Sequence, residues 1–326
     1  MKPALVSGVQ PTGRLHIGNY LGALKNFVDL QSTGRYDCHF IIVDLHALTE
    51  FIPPKEQHRN IIHLAADFLA AGIDPRQSLF FQQSQVAAHS ELTWIFNTLT
   101  PMGELSRMTQ YKDKSDKHGA TAGLFTYPTL MAADILLYDP KYVPVGDDQS
   151  QHLEFTRTLV RKFNERFGRT FIEPKALFTE APRVMSLGNP SKKMSKSDPA
   201  NCLFIDDQPY EIINKVRRAV TDSGSEIVFD PERKPAIANL LRIYAGVTGQ
   251  STRKLEQQYR GVGYGTFKQE LGQAIADHFA PFRKKKKQLL ADPKRLINIL
   301  KRGSAKARKR ADAKMAIVRK RIGIAL

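Results

Sequence analysis

A chain of 326 residues with 42% hydrophobic residues exceeds the usual size of one domain, which predicts two globular units and excludes a disordered or fibrous chain. Two cysteines, Cys38 and Cys202, are too few for a disulfide framework, a structural zinc site or an iron-sulfur cluster. The chain has no run of about 18 apolar residues and no leader pattern after Met1, so a cytoplasmic protein without membrane contact is expected; its net charge of +17 points to an anionic partner instead. In chain order, residues 4–7 read as a short apolar strand, 19–30 carry Leu21, Leu24, Phe27 and Val28 at helical spacing, and 39–44 are apolar and β-branched again. The helical period returns through Ile62, Ala65 and Leu69, residues 78–81 form a third strand, and 142–145 form another inner strand ahead of a helix carrying Leu153, Thr156, Leu159, Val160 and Phe163 on one side. This alternation predicts an α/β fold with a parallel sheet over residues 1–205. From 206 to 326 the spacing is helical throughout, over 210–220, 236–247 and 267–279 and on into a basic tail, which predicts an all-helical second unit.

The charge is concentrated in that tail. Between Arg283 and Arg321 stand 17 Lys and Arg against two acids, Asp292 and Asp312, so nearly the whole excess lies there. A solvated basic face is the bland reading of such a run. Nucleic acid is favoured over a membrane surface because the stretch lacks the Trp and Phe that an interfacial helix would bury. Ala307, Ala311, Met315, Val318 and Ile322 form an apolar stripe, so the tail is expected to dock as a helix with most of its basic residues outward.

Two polar constellations carry chemistry. Gly8-Val9-Gln10-Pro11-Thr12-Gly13 and His16-Ile17-Gly18-Asn19 lie between the first strand and first helix, the junction where α/β sheets bind ligands and where a helix N-terminus offers N–H donors to phosphate. No Gly-Lys-Ser/Thr Walker loop occurs, which excludes a P-loop enzyme. Much later, in Ser191-Lys192-Lys193-Met194-Ser195-Lys196-Ser197-Asp198-Pro199, Lys193 and Lys196 supply spaced ammonium groups with hydroxyl neighbours, suited to holding a polyphosphate while a bond at its α-phosphorus breaks. Between them, Tyr127, Met131 and Asp134 fall at i, i+4 and i+7 of one helix, with Pro128 expected in its first turn. Their hydroxyl, thioether and carboxylate would line one face; a buried carboxylate can accept from an indole N–H while a thioether packs on the ring. The competing reading is a hydrogen-bonded structural acid with no ligand.

The two outer strings together resemble the paired signatures of class I aminoacyl-tRNA synthetases. The middle strings, 124–138 and Val143-Pro144-Val145-Gly146-Asp147-Asp148-Gln149, resemble the bacterial tryptophan-specific branch of that family, with similarity running from about Leu5 through Gly249 and more weakly beyond. The resemblance implies a Rossmann-like catalytic domain with a helical dimerisation insertion over 1–205 and a helical tRNA- and anticodon-binding domain over 206–326. It implies ATP-dependent activation of L-tryptophan, with Mg²⁺ carried by ATP, followed by transfer to tRNA(Trp) within a homodimer. Around ATP it implies Gln10, Pro11, Thr12, His16, Gly18, Asn19, Gly146, Asp147, Asp148, Val184 and Lys193 through Ser197, including Met194, Ser195 and Lys196, with Lys114 approaching the triphosphate. Around tryptophan it implies Val6, Ser7, His46, Tyr127, Met131, Asp134, Val143, Val145 and Gln149. His89, Trp94 and Met102 are assigned to core or subunit contact. Val6 and Leu45 depart from the aromatic residue and glutamine common in the family, which implies a smaller or drier pocket wall. A tyrosine-specific relative, an inactive RNA-binding factor and a different adenylyl-forming enzyme are the rival readings.

Overall fold

The computed structural model describes residues 2–108, 121–146, 150–178 and 183–325. Five parallel strands form one sheet: β1 (Ala4–Val9), β2 (Asp37–Ile42), β3 (Leu79–Gln82), β4 (Tyr142–Val145) and β5 (Lys175–Phe178), in the order β3-β2-β1-β4-β5. β5 adds a strand to the four expected. Neighbouring residues of the inner strands serve opposite layers, because side chains alternate across a sheet. Leu5, Phe40, Ile42 and Phe80 join the core on one face, Val6, Ile41, Val43 and Phe81 the core on the other. With both faces covered, these strands read as continuous apolar runs rather than alternating ones.

The first crossover is less regular than a single helix over 19–30. α1 (Ile17–Asn19) opens into a π-helical turn over Tyr20–Leu24 and continues as α2 (Lys25–Ser32). α3 (Asp44–Ala47) and α4 (Pro54–Ala71) lead to β3, and α5 (Ala88–Asn97), α6 (Met102–Ser106) and α7 (Ala122–Leu136) carry the chain from one side of β1 to the other. α7 begins at Ala122, capped by the Thr121 hydroxyl, so Pro128 stands inside the helix and not in its first turn. α8 (Ser150–Phe167) joins β4 to β5.

The remaining helices are α9 (Pro209–Arg218), α10 (Pro235–Thr248), α11 (Thr252–Gln258), α12 (Tyr264–His278), α13 (Ala280–Leu290) and α14 (Pro293–Ile322). They share the sheet's cores. α14 buries Leu296 and Leu300 in the first layer and Ala307, Ala311, Met315 and Val318 in the second, crossing the edge strand β3 between the two. Gly303 is the crossing point, where a Cβ would overlap the Phe80 carbonyl oxygen, and Ser304 Oγ accepts from Gln82 N at 3.4 Å. The helix thus covers an edge that would otherwise offer unpaired backbone groups. The expected apolar stripe does dock, but its basic neighbours are not all outward: Lys286 pairs with Asp67, Arg310 with Asp37, Lys314 with Asp139 and Arg319 with Glu91.

Candidate active site

β1 lies between β2 and β4, and the chain builds outward from it in opposite directions, so the crevice at the strand ends there is the natural ligand site of an open α/β sheet. β1 and β4 pair at Leu5 with Tyr142 and then separate around a cavity of about 300 Å³. Its lining brings together Val6, Ser7, Gly8 and Gln10 from β1 and its turn, Val43 and His46, Tyr127, Met131 and Asp134 from α7, and Val143 through Val145 from β4. Of the nine residues implied around tryptophan, eight line this one space; Gln149 lies outside the described residues, as do Asp147, Asp148 and Lys114. Gly8 is needed where it stands, since a Cβ would come within 2.7 Å of Val43 Cγ1.

Asp134 forms the polar floor of the cavity and is itself buried. Three nitrogen donors surround its carboxylate: His46 Nε2 at 2.8 Å, His89 Nδ1 at 2.6 Å, and Gln83 Nε2 at 2.7 and 2.8 Å from its two oxygens. Burial pushes the acid up, but the hydrogen bonds and charges of the two histidines outweigh it and hold Asp134 at about 2, so it stays an ionised acceptor. The donors are themselves oriented. Gln83 Oε1 accepts from Leu45 N at 2.9 Å, which fixes the amide's direction. The Tyr138 hydroxyl lies 2.9 Å from His89 Nε2 and fixes the ring with Nδ1 facing Asp134, and burial, with Asp134 adding to it, keeps the phenol protonated. A carboxylate offers about four acceptor positions. The four contacts give each oxygen two nitrogen partners, His89 and Gln83 on Oδ1 and His46 and Gln83 on Oδ2, and the same carboxylate borders the cavity.

Gln83 and His89 hold Asp134 without lining the cavity; His89 is fully buried, a core residue as expected, and from there it orients the acid. Trp94 and Met102, at 70% and 74% exposure, are not core residues and remain available for subunit contact. Gln83 was detectable in principle, since it directly follows β3 at the strand-end level where α/β ligands bind. His89 gave no such signal, because its partner lies 45 residues away on another helix. Tyr127 meets His152 Nε2 at 2.6 Å through its hydroxyl, and its ring packs edge-on to His46.

From Gln10 the cavity leads to the glycine turn. The Lys196 ammonium reaches back to this turn, 3.2 Å from Thr12 Oγ1 and 3.3 and 3.5 Å from the Thr12 and Gly13 carbonyls, so the two signatures meet across 184 residues. Gly13, at φ +94°, supplies the left-handed backbone this turn requires. Main-chain bonds tie the two signature regions together: Ile17 N donates to Leu203 O and Ile205 N to Leu15 O, while Met194 N donates to Val184 O. Asn239 holds the same hairpin by accepting from Met185 N at 2.8 Å and donating to Met185 O at 3.0 Å. Met194 is buried, Lys193 is exposed, and Ser195 and Ser197 share a 2.8 Å hydroxyl contact. Pro11 is buried under this turn, and Gly146 directly follows β4.

His16 caps α1, with Nδ1 accepting from Asn19 N at 3.3 Å while Asn19 Oδ1 accepts from His16 N at 3.1 Å. Burial, followed by the charges of Lys196 and Lys193, lowers His16 to about 4. The ring is neutral near pH 7, and with Nδ1 an acceptor its proton sits on Nε2, free to donate to an anionic oxygen. A Cβ on Gly18 would meet His16 Cε1 at 2.9 Å and Val184 Cβ at 3.4 Å, so glycine lets the helix start, the imidazole and Val184 close up. Burial also pulls the Lys196 ammonium below the ordinary lysine range; the oxygens bonded to it are neutral, which leaves its charge available to an anion. The arrangement can hold an apolar group bearing one N–H donor beside a polyphosphate.

The profile of a family described as tRNA synthetases class I (W and Y) matches residues 1–280. The tryptophan--tRNA ligase of Caldanaerobacter subterraneus subsp. tengcongensis is 48% identical over 324 residues, covering 98% of this chain and 98% of that one. Among solved structures, the tryptophanyl-tRNA synthetase of Mycoplasma pneumoniae matches at TM-score 0.90 and 31% identity, covering 100% and 99% of the two chains. The Campylobacter jejuni tryptophanyl-tRNA synthetase, complexed with ADP and tryptophan, matches at TM-score 0.85 and 38% identity, covering 98% and 99%.

Proposed function

The chain belongs to the class I tRNA synthetases for tryptophan and tyrosine, and from that premise we propose that it activates L-tryptophan with ATP and transfers the product to tRNA(Trp). In the first step the tryptophan carboxylate attacks the α-phosphorus of Mg-ATP, forming tryptophanyl-adenylate and releasing pyrophosphate. In the second, a hydroxyl of the terminal tRNA ribose attacks the acyl carbon and AMP leaves. The observation that carries the reading is the buried, ionised Asp134 carboxylate bordering an apolar cavity, oriented by three nitrogen donors where an indole N–H can reach it.

No side-chain nucleophile takes part; the protein positions the reactants and stabilises charge. Met131 packs on the indole, with Val6, Val143 and Val145 as apolar walls; Ser7 and Gln149 serve the amino-acid head group, and Gln10 serves ATP. Lys193 and Lys196 stabilise charge that builds on the departing pyrophosphate, the neutral His16 donates from Nε2, and Asn19 completes the phosphate contacts. Lys114 adds a further positive charge. Gly146, Asp147 and Asp148 serve the ribose, and the main chain at Val184 serves adenine. Mg²⁺ arrives on ATP, held mainly by phosphate oxygens.

Residues 1–205 act as the catalytic domain and 206–326 as the tRNA-facing one, in a cytoplasmic homodimer that uses the exposed surface of α5 and α6. The deciding experiment is amino-acid-dependent pyrophosphate exchange across all twenty amino acids. Tryptophan alone should support it, and equal exchange with phenylalanine or tyrosine would refute the specificity.

A further inference from the structure

A cavity of about 970 Å³ lies away from the tryptophan site, between the turn leading into β3 on one wall and α13 with α14 on the other. Five cations line it, Arg76, Lys285, Arg295, Arg302 and Lys306, against one acid, Asp74, which Arg76 already engages at 2.8 Å. Arg295, Arg302 and Lys306 stand at i, i+7 and i+11 of α14 and so form one stripe along its exposed face, spanning roughly 16 Å of helix axis.

The contrast with the other side of the same tail gives this stripe its meaning. Lys286 lies 2.6 Å from Asp67 and 2.9 Å from Asp206, Arg310 2.7 Å from Asp37, Lys314 2.6 Å from Asp139, and Arg319 2.5 Å from Glu91. Those cations attach the tail to the catalytic part, each facing an acid there. The groove cations gather in a concavity with a single acid. The fold gains nothing from that clustering, whose self-repulsion an anionic ligand would relieve. The sole ring in the lining, Phe80, is 1% exposed, so the groove is equipped to hold phosphates and not to stack bases.

We propose that the stripe Arg295, Arg302 and Lys306, with Lys285 and Arg76 flanking it, is a groove for the phosphodiester backbone of tRNA, separate from the site that receives the acylated end. The groove borders the start of β3, whereas the cavity of Asp134 lies at the opposite ends of the strands, so the RNA held here is remote from the ribose being acylated. A stripe of this length spans several backbone phosphates. Recognition is through charge and spacing and carries no base specificity.

The proposal rests on the synthetase reading, and its test separates the two. In the full chain, Arg295→Gln, Arg302→Gln and Lys306→Gln would be combined, and binding of a tRNA(Trp) transcript measured between about 50 and 200 mM salt. The slope of log K against log salt should become shallower by about two to three, close to one for each phosphate that the variant no longer neutralises. Tryptophan-dependent pyrophosphate exchange should stay at the unmodified level, which also verifies folding. An unchanged slope in a protein with normal exchange would overturn the groove. Displacement of tRNA from the unmodified protein by an equal charge concentration of inorganic tripolyphosphate, abolished in the triple variant, would overturn the RNA assignment in favour of a small polyphosphate site. Absence of exchange in the unmodified protein would instead refute the synthetase reading, leaving the salt slope to judge the groove.

Discussion

Replacing Asp134 by Asn is nearly isosteric and tests the acceptor count directly. Three N–H groups, from His46, His89 and Gln83, point at a carboxylate that becomes an amide with one accepting oxygen. That oxygen can take two of them; the third meets the new NH₂, donor against donor. One buried donor left unsatisfied costs about 1–3 kcal/mol, and loss of charge assistance weakens the remaining bonds further, so a loss of about 2–4 kcal/mol in folding stability is expected. For the substrate, the charged acceptor disappears, and removing a hydrogen bond to a charged partner corresponds to about 2–3 kcal/mol, or a rise in KM for tryptophan of about 30- to 150-fold. Discrimination against phenylalanine, which a site built on a buried hydrogen bond can raise to about 10⁴, should fall by about the same factor. Pyrophosphate exchange with each amino acid at saturating ATP provides both numbers, and KM for ATP should move by less than about threefold, which general destabilisation would not produce. An Asn variant that keeps tryptophan KM within about threefold and still rejects phenylalanine would refute the reasoning, because the carboxylate would then be a structural acid and not the indole's partner.

Lys196→Ala should lower the exchange rate by about 10²- to 10³-fold with little change in tryptophan binding, as for removal of one transition-state charge interaction; near-normal exchange would remove Lys196 from the phosphate site. His16 has a folded value of about 4 against 6.5 in the unfolded chain. A lowered folded value means the unfolded chain binds the extra proton first, so stability present above pH 6.5 is lost as pH falls toward 4, by up to about 3 kcal/mol. Urea unfolding at pH 7.5 and pH 4 should show that loss in the unmodified protein and less of it in His16→Gln; identical pH slopes would count against it. Trp94 is the chain's single tryptophan and is 70% exposed. Dimerisation through α5 should shift its emission to the blue as concentration rises, in step with mass by sedimentation, and a monomer throughout the working range would refute the homodimer.

What the sequence disclosed best was chemistry carried by short contiguous strings. His16 through Asn19 form a cap within one turn, so their spacing already states their geometry, and Tyr127, Met131 and Asp134 share a helix face whether the helix starts at Ala122 or at Pro128. The partners of Asp134 were harder, because Gln83, His89 and His46 arrive from three other segments and carry no mutual spacing. The π-helical turn over Tyr20–Leu24 escaped notice since an apolar period near four residues cannot distinguish it from α-helix. In the tail, composition revealed the charge but not its division: whether a lysine faces Asp139 or the groove depends on acids more than a hundred residues distant.

The docking of α14 across β3 also sets an order of events during synthesis. Val6 and Val43 line the amino-acid cavity and belong to the same apolar cluster as Ala307, Ala311, Met315 and Val318. A nascent chain can assemble strands and early helices while it is made, but the layer behind its amino-acid cavity stays open to water until residues about three hundred positions downstream leave the ribosome. Truncated translation products would therefore expose apolar surface beside an incomplete pocket and fall to proteolysis rather than accumulate as partial enzymes. The layer behind the amino-acid cavity is complete only once α14 has docked.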